Sequence, residues 1–471
     1  MNERQDIWRR VDDKKDPFVA LSDRIWGMPE ICYTEFRSVA EHVDELAREG
    51  FRITREVAGI PTAVIGEAGE GGPVIAILGE YDALPGLSQE AGVAEHRPVE
   101  PQGHGHGCGH NLLGSASLLA ASAVKDWLAA SGQPGRVRYY GCPAEEGGAG
   151  KAFMVRAGAF ADVDVAICWH PSGFWEVVPP LSLANTRIDF TFTGRASHAA
   201  AAPHLGRSAL DAVELMNVGV NYMREHMPSE ARVHYALLDG GGIAPNVVQA
   251  RAKVRYAVRA RDLPGMRALV ERVRKIAEGA ALMTETTVET RIISAMSNLI
   301  GNGPLERAMS GVLEELGPPA FDDADRSFAR AIQATLTDAD LDAAWRSVGL
   351  PRKDAALCED VVPMDTPRQP MIGSTDVGDV SWVVPTVQAH APVVAVGTPF
   401  HSWQLVAQGK SPAAHKGMVH AAKAMAATAV AALTNPALIA AAKSDLTART
   451  GGRYASPLPE GVGPPLDMAA G

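Results

Sequence analysis

The sequence predicts an α/β fold, with a central, mostly parallel sheet flanked by helices and a smaller α+β domain inserted into it. Short apolar runs bounded by Gly or Pro alternate with longer helical stretches, which is typical of buried parallel strands. Between residues 186 and 295 polar and apolar residues alternate instead, as they do in half-exposed antiparallel strands. The length of 471 residues and the hydrophobic content of 46% allow more than one core.

Four apolar runs are predicted to form strands of the larger sheet: PVIAILGE, RVRYYGC, VDVAICWH and APVVAVGTPF. The segment NLLGSASLLAASAVKDWLAASG lies between the first two, and its many small residues suit a helix packed closely on a sheet. We therefore assign residues 1–185 and 296–471 to the larger domain. Its Pro- and Gly-rich tail, from residue 451, is expected to lie along the surface or to wrap a neighbouring protomer.

The inserted domain, residues 186–295, reads as strands and helices in alternation. NTRIDFTFTG, RVHYALLD, ARAKVRYAVRA and TTVETRIISAM are the predicted strands, and SALDAVELMNVGVNYM and GMRALVERVRKIAEGAALMT are the predicted helices. A unit of about 110 residues is a normal size for a small domain. Hinges are expected near its two ends, at Asn185 and Met296.

Composition excludes several classes of partner. A net charge of −11, without a dense Lys/Arg block, argues against nucleic acid. No apolar run approaches the roughly 18 residues that span a membrane, and the charged first residues lack the apolar core of a signal peptide. Five scattered cysteines do not make a disulfide framework. We expect a cytoplasmic protein that binds neither membrane nor nucleic acid.

Residues that can bind metal ions follow the predicted strands or lie in the run GHGHGCGHN. They are Asp82, Cys108, His110, Glu145, Glu146, His170 and His401. Ligands bind at the carboxyl ends of the strands in open α/β sheets, so these side chains are expected to converge on one crevice. Taken alone, these residues have other interpretations: a buried cysteine for Cys108, a structural histidine for His170 and His401, and a solvated face for Glu145 and Glu146. The repeated position at strand ends favours metal binding.

The number of candidate thiolate, imidazole and carboxylate ligands is larger than the four that one tetrahedral zinc ion needs. It suits two divalent ions about 3.5–4 Å apart with a bridging water. The adjacent Glu145 and Glu146 allow one carboxylate to bind metal while the other takes a proton from water, and their spacing does not say which does which. Asp82 either caps its turn or orients a metal-bound histidine.

Eight motifs together resemble those of the dinuclear-metal amidohydrolases and peptidases, a group that includes aminoacylase, carboxypeptidase G and the plant auxin-conjugate hydrolases. They are GEYDALPGL, HGCGHNLLG, PAEEGGAGK, ICWHPS, GRASHAAAAPHLGRSALDA, GGIAPNVVQARAKVRYAVRA, GSTDVGDVSW and GTPFHSW. The resemblance implies that Glu145 is the general base and acid and that Asp82 orients a ligand. The metal ligands it implies are Cys108, His110, Glu146, His170 and His401.

The resemblance also assigns roles to the inserted domain, which in this group is a lid and dimerisation domain. His198 matches a histidine that stabilises the oxyanion in the site of the partner protomer, and Asn246 matches a residue near the polar end of the substrate. Glu80 departs from the pattern, because many members have histidine there, and its ligand role is expected to pass to His110. The two metal ions are expected to be manganese or zinc.

The implied activity is metal-dependent hydrolysis of the amide bond of an N-acyl or N-aroyl amino acid, with p-aminobenzoyl-glutamate-like conjugates as the best candidates. A dipeptidase or an aminohydrolase of aromatic amines would use the same site. A non-catalytic partner in an assembly is the alternative of another class, and the complete ligand set argues against it. A homodimer is expected, with pairing to a paralogous chain as the alternative. Four arginines are candidates for holding the substrate carboxylate: Arg187, Arg195, Arg207 and Arg251.

Overall fold

The computed structural model describes residues 3–368 and 372–470. Its strands are β1 (Arg52–Arg55), β2 (Val64–Glu70), β3 (Val74–Glu80), β4 (Gly135–Cys142), β5 (Val165–Ser172), β6 (Glu176–Val177), β7 (Ala184–Thr193), β8 (Arg232–Asp239), β9 (Arg251–Ala260), β10 (Thr287–Met296) and β11 (Thr386–Pro392). Its helices are α1 (Glu3–Trp26), α2 (Phe36–Arg48), α3 (His110–Ser131), α4 (Gly150–Arg156), α5 (Ala209–Met223), α6 (Leu263–Thr284), α7 (Gly303–Leu316), α8 (Asp323–Gln333), α9 (Asp338–Ser347), α10 (Val377–Val383), α11 (Trp403–Gln408), α12 (Pro412–Thr434) and α13 (Pro436–Thr450).

Seven of the described strands form the larger sheet, in the order β1-β2-β4-β3-β5-β11-β6. The central strands β4, β3, β5 and β11 are parallel, and the outer pairs are antiparallel. Helices α1, α3 and α12 share one apolar core with this sheet. A Cβ atom on Gly114 of α3 would lie 2.5 Å from the backbone oxygen of Glu80, so a small residue is needed where the helix meets the sheet. The predicted fold class is confirmed.

The prediction of the fourth strand was wrong, because it placed the strand too late in the chain. Strand β11 ends at Pro392, and the apolar residues 393–396 that follow are buried without continuing it. Its neighbour β5 ends at Ser172, so no further parallel pairing is available. The amide of Ala395 instead donates to the Gln408 side chain, and that of Val396 donates to the Ala356 carbonyl. His401 therefore lies on a loop beyond the strand.

The second described sheet has the order β10-β7-β9-β8 and is antiparallel throughout. Helices α5 and α6 pack on it around a separate apolar core. This sheet and these two helices are called the second domain below. Strand β8 is an edge strand, and Tyr235, Leu237 and Leu238 on it are exposed. The chain passes between the two sheets at Asn185 of β7 and Met296 of β10, which are paired with each other.

The C-terminal tail lies against its own chain and contacts the domains of both sheets. Tyr454 donates a hydrogen bond to Asp379 at 2.7 Å, and Arg156 donates to the Pro459 carbonyl at 3.3 Å. On the other side, Arg291 of β10 pairs with Asp467 at 3.3 Å. The tail thus connects the two domains across the outside of the molecule.

Among the described residues, no single helix combines the length and the apolar composition that crossing a membrane requires. Helices α12 and α13 meet those criteria only when taken together, and they are bent by 100° at their junction. Most of α12 is buried against the larger sheet and its helices.

Candidate metal centre

Three groups of potential metal ligands lie next to one another beyond the carboxyl ends of the parallel strands. Within each group the ligand atoms lie within 4.8 Å of one another. The groups are Cys108 with His110 and His170, Cys108 with Glu146 and His401, and Glu80 with His110 and Glu145. Cys108 belongs to the first two groups, and His110 belongs to the first and the third.

Cys108 and His110 owe their placement to the glycine between them. Gly109 has φ +75°, a conformation that side chains other than glycine rarely adopt, and α3 begins directly after it at His110. A Cβ atom on Gly109 would also lie 3.0 Å from the Pro171 side chain. The turn therefore presents the thiol and the imidazole on the same side, with the Cys108 sulfur 3.4 Å from Nε2 of His170.

The two glutamates occupy a tight loop between β4 and α4. Ala144 and Ala149, on either side of the pair, have φ values of 61° and 57°, which are costly for alanine. A Cβ atom on Gly147 would lie 1.9 Å from Nη1 of Arg187, so a side chain there would displace this guanidinium. Such strain persists only where the surroundings impose it, and it concentrates at functional sites.

His401 is also held in an unusual conformation. Its φ is 57°, and its amide donates to the Gly107 carbonyl at 2.8 Å, which ties it to the loop of Cys108. Its Nε2 atom lies 3.3 Å from Oε2 of Glu146, and 53% of its side chain is exposed. His401 thus forms the open side of the centre.

Asp82 contacts two of the candidate ligands. Nδ1 of His110 lies 2.9 Å from Oδ1 of Asp82, and the amide of Glu146 donates to its Oδ2 at 2.9 Å. Nδ1 of His170 makes the corresponding contact with the Pro171 carbonyl at 2.9 Å. When one imidazole nitrogen donates in this way, the other is left to bind a metal ion.

The electrostatics of the cluster suit divalent cations. Three buried atoms that face it have no hydrogen-bond partner among the described residues: Oε2 of Glu80, Nε2 of His110 and Oε1 of Glu146. Burial raises the pKa of Glu146 to about 7, and burial with the nearby Glu80 and Glu146 carboxylates raises that of Glu145 well above its usual range. So much buried negative charge is stable only when it is protonated or neutralised by cations. The residues present therefore fit a pair of metal ions.

Glu80 is part of a buried ion network that the sequence reasoning missed. Nζ of Lys151 lies 2.5 Å from Oε1 of Glu80 and 2.7 Å from Oδ1 of Asp376. The other oxygen of Glu80 lies 3.2 Å from Nε2 of His110, but the two atoms are not in hydrogen-bonding geometry. Both partners fall in motifs quoted above, GGAGK and GSTD, but neither motif reveals that they meet.

Lys151→Met is expected to lower the free energy of unfolding by about 3–5 kcal/mol, because it leaves Glu80 and Asp376 buried without their cation. Urea denaturation of chelator-treated protein measures this. Lys125→Met is the matched control, since Lys125 is partly exposed and pairs with Asp126 at the surface; it is expected to cost at most about 1 kcal/mol. Equal losses in the two variants would contradict the structural role of the network.

Of the four candidate arginines, only Arg187 reaches the cluster, where its Nη2 donates to the Glu146 carbonyl at 2.7 Å. Arg207 pairs with Glu285 and Arg251 with Asp239, both within the second domain. Arg195 is exposed on the same domain.

The sequence reasoning missed a fifth arginine, Arg259 of β9. Burial, together with the charge of Arg187, lowers the pKa of Arg259, while the carboxylate of Glu145 opposes this shift. Its buried Nε has no partner among the described residues, and its Nη1 donates to Ser374 at 3.2 Å. Its position opposite Asn185 on the neighbouring strand places it beside Arg187, a proximity that only the sheet register reveals.

His198 and Asn246 lie together on the second domain. The Ala199 amide donates to the Asn246 carbonyl at 2.9 Å, and both side chains are exposed. Nδ1 of His198 accepts from the amides of Ala200 and Ala201. Within the described part of the chain, no hydrogen bond or ion pair joins either residue to the metal-ligand groups.

Comparison with curated proteins finds full-length relatives. The chain is 47% identical to one of the subunits of p-aminobenzoyl-glutamate hydrolase from Escherichia coli (strain K12), over 98% of this chain and 99% of that protein. It is 30% identical to the Xaa-Arg dipeptidase of Mus musculus, over 91% and 89%. Another subunit of the same Escherichia coli hydrolase is 32% identical over 49% of this chain and 54% of that protein.

The fold is shared with solved structures as well. A dinuclear metal binding peptidase of the M20 family from Bacillus subtilis superposes with a TM-score of 0.53 at 19% identity, over 88% of this chain and 98% of that one. The profile of Peptidase family M20/M25/M40 matches residues 76–387, from β3 to β11. This match and the full-length relatives show that the chain belongs to the peptidase family M20/M25/M40.

Proposed function

We propose that this protein is a dinuclear metal-dependent hydrolase of the amide bond in N-aroyl amino acids, with p-aminobenzoyl-glutamate-like conjugates as substrates. The observation that carries the proposal is the half-buried carboxylate of Glu145, which lies in one ligand group with Glu80 and His110, while Arg187 donates to the carbonyl of the neighbouring Glu146 and the charge of Glu145 acts on Arg259. A relative 47% identical over nearly the whole chain is named for hydrolysis of that compound.

The ligand assignment is Cys108, His110, Glu146, His170 and His401. Two divalent ions bound there would lower the pKa of a water molecule and polarise the amide carbonyl. Zinc or manganese is proposed, because thiol and imidazole ligands suit zinc while carboxylates also suit manganese. Asp82 orients His110 and the loop that carries Glu146 through the two hydrogen bonds described above.

Glu145 has the role of proton carrier. Its carboxylate takes a proton from water as the carbonyl carbon is attacked and returns it to the amine that leaves. The second domain would cover the crevice during this step and exclude bulk water.

Arg187 and Arg259 are proposed to hold the substrate carboxylate. Substitution of either by Ala is expected to raise KM for p-aminobenzoyl-glutamate about 10- to 100-fold, the range for a hydrogen bond between charged groups. Arg274→Ala is the control, because Arg274 pairs with Glu271 on the exposed side of α6. Unchanged KM values in both site variants would exclude this role.

The function is tested by release of p-aminobenzoate from p-aminobenzoyl-glutamate, with chelated protein and with protein reconstituted with manganese or zinc. Metal-dependent release supports the proposal. A metal-loaded protein that releases no product would refute this substrate. A dipeptidase is the second candidate, favoured by the Xaa-Arg dipeptidase relative, so dipeptides ending in arginine belong in the same assay. Activity on these alone would favour that candidate, and no turnover at all would favour a non-catalytic partner of another chain.

We also propose that the second domain dimerises, with His198 completing the oxyanion site of the partner and Asn246 contacting the polar end of the substrate. The exposed edge of β8 supports this, because an unpaired strand edge with apolar side chains is a ready surface for association. The partner is either a second copy or a paralogous chain, since the relatives include two different subunits of one hydrolase.

Light scattering after size exclusion is expected to give twice the chain mass of 49.7 kDa. Leu237→Lys in β8 is expected to weaken the dimer at least about tenfold, since it places a charge at an apolar edge. The control is Leu282→Lys, which changes an exposed leucine of α6. A monomer at micromolar concentration would exclude the homodimer, and co-expression with a homologue of the other hydrolase subunit would then test the paralogous pair.

The intracellular location is proposed from the cysteines. All five are free and buried, as is usual for proteins of a reducing compartment. A cytoplasmic location follows as the simplest assignment, and cell fractionation tests it.

A further inference from the structure

Two rings that have no role in the proposed mechanism border the metal centre on the side of His170. His390 of β11 is paired in register with His170 of β5, and the two rings lie 6.3 Å apart. The ring of Phe400, the residue before His401, lies 5.6 Å from the ring of His170 and is 40% exposed. A polar ring and an apolar ring thus lie beside the same candidate ligand.

His390 is held in a defined orientation. Its Nδ1 lies 2.9 Å from Oε1 of Glu176, a buried carboxylate whose other oxygen pairs with the guanidinium of Arg368. Because Arg368 already balances the charge of Glu176, the imidazole needs only to donate its Nδ1–H. Its Nε2 then carries a lone pair and accepts hydrogen bonds.

That nitrogen is available to a ligand. The His390 side chain is 23% exposed, and no described residue makes a hydrogen bond to its Nε2. Packing alone does not require this arrangement, since an apolar residue would fill the same space as His390. The buried ion pair instead fixes the orientation of a partly exposed imidazole beside the metal centre.

The two ends of the centre differ in chemistry. Arg187 adjoins Glu146, which shares a ligand group with His401, whereas His390 adjoins His170, which shares a ligand group with His110. Cys108 is common to both groups. A conjugate whose carbonyl lies at this shared position would extend its carboxylate toward the arginine and its acyl group toward His390 and Phe400.

We propose that His390 and Phe400 form the acyl subsite, in which Phe400 packs against an aromatic acyl group and Nε2 of His390 accepts a hydrogen bond from an amino substituent on it. This inference rests on the proposed hydrolysis of aroyl amino acids and specifies the acyl group. The chemistry favours an aromatic amine over an unsubstituted ring, because a neutral acceptor nitrogen selects a donor.

The test is binding of p-aminobenzoyl-glutamate and benzoyl-glutamate to zinc-loaded Glu145→Gln protein, measured by calorimetry, so that no turnover is required. The amino compound is expected to bind about 3- to 10-fold more tightly, as one satisfied hydrogen bond allows. In the Glu145→Gln/His390→Ala protein this preference is expected to fall to within about twofold. Phe400→Leu is expected to weaken both compounds equally and to leave acetyl-glutamate unaffected.

His415→Ala is the matched control, because His415 is also partly exposed and pairs with a carboxylate, Asp23, between helices α12 and α1 and outside the ligand groups. Metal content is measured in every variant, since a His390 that only supports His170 would change the metal content and weaken both conjugates alike. That pattern, or an amino preference that persists without His390, overturns the subsite. If the Glu145→Gln protein binds neither conjugate, the proposed substrate class is refuted. If it binds both but shows no preference that depends on His390, only the acyl subsite is refuted.

Discussion

Glu145→Gln is expected to reduce hydrolysis about 10²- to 10⁴-fold while both metal ions stay bound. The amide has nearly the shape of the carboxylate but cannot accept a proton from water, and a loss of this size is usual for a general base. Burial and the nearby Glu80 and Glu146 carboxylates raise the pKa of Glu145, which favours uptake of a proton by this carboxylate. The measurements are kcat with p-aminobenzoyl-glutamate and metal content by mass spectrometry.

The variant to compare with Glu145→Gln is Glu146→Gln. Glu146→Gln makes the same chemical change one position along the same loop, but it removes a proposed ligand. This variant is expected to lose one equivalent of metal as well as activity. If Glu145→Gln lost metal while Glu146→Gln kept it, the two roles would have to be exchanged.

Cys108→Ala is expected to remove both metal ions and to abolish activity. The Cys108 sulfur belongs to two ligand groups, so its loss takes one ligand from each site. His170→Ala and His401→Ala each affect a single group and are expected to leave about one equivalent bound. Metal content after dialysis against a weak chelator distinguishes these outcomes.

Cys168→Ala is the matched control for that experiment. Cys168 is buried on β5, two residues before His170, and its sulfur contacts only the Val387 carbonyl among the described hydrogen-bond partners. It is expected to keep both ions and to lose some stability from the small cavity. Retention of two ions by Cys108→Ala would contradict the assignment of the thiol to both ligand groups.

The fold class was predictable because hydrophobic periodicity is a local property. Runs such as VIAIL and VAICW are apolar throughout, which only a strand buried on both faces requires. The fourth run misled the assignment, because residues 393–396 are equally apolar and the end of β11 depends on where β5 ends. Periodicity reports burial, whereas pairing depends on the neighbouring strand.

The convergence of Cys108, His110, Glu146, His170 and His401 was likewise predictable from their places after strands. The structure brings them together in two groups of three that share Cys108, and their role as ligands stays a prediction. Two local features shape the site, the turn at Gly109 and the tight loop around Glu145. Both lie within the sequence motifs themselves.

Residue types within a few positions of one another were thus enough to indicate the class of fold, the candidate ligands and the type of chemistry. Three further contacts became known only from the folded chain: Lys151 lies between Glu80 and Asp376, Arg259 lies beside Arg187, and His390 borders His170. These residues are far apart in the chain, and their contacts depend on strand order and register. A local pattern carries no information about register between strands that a long connection separates.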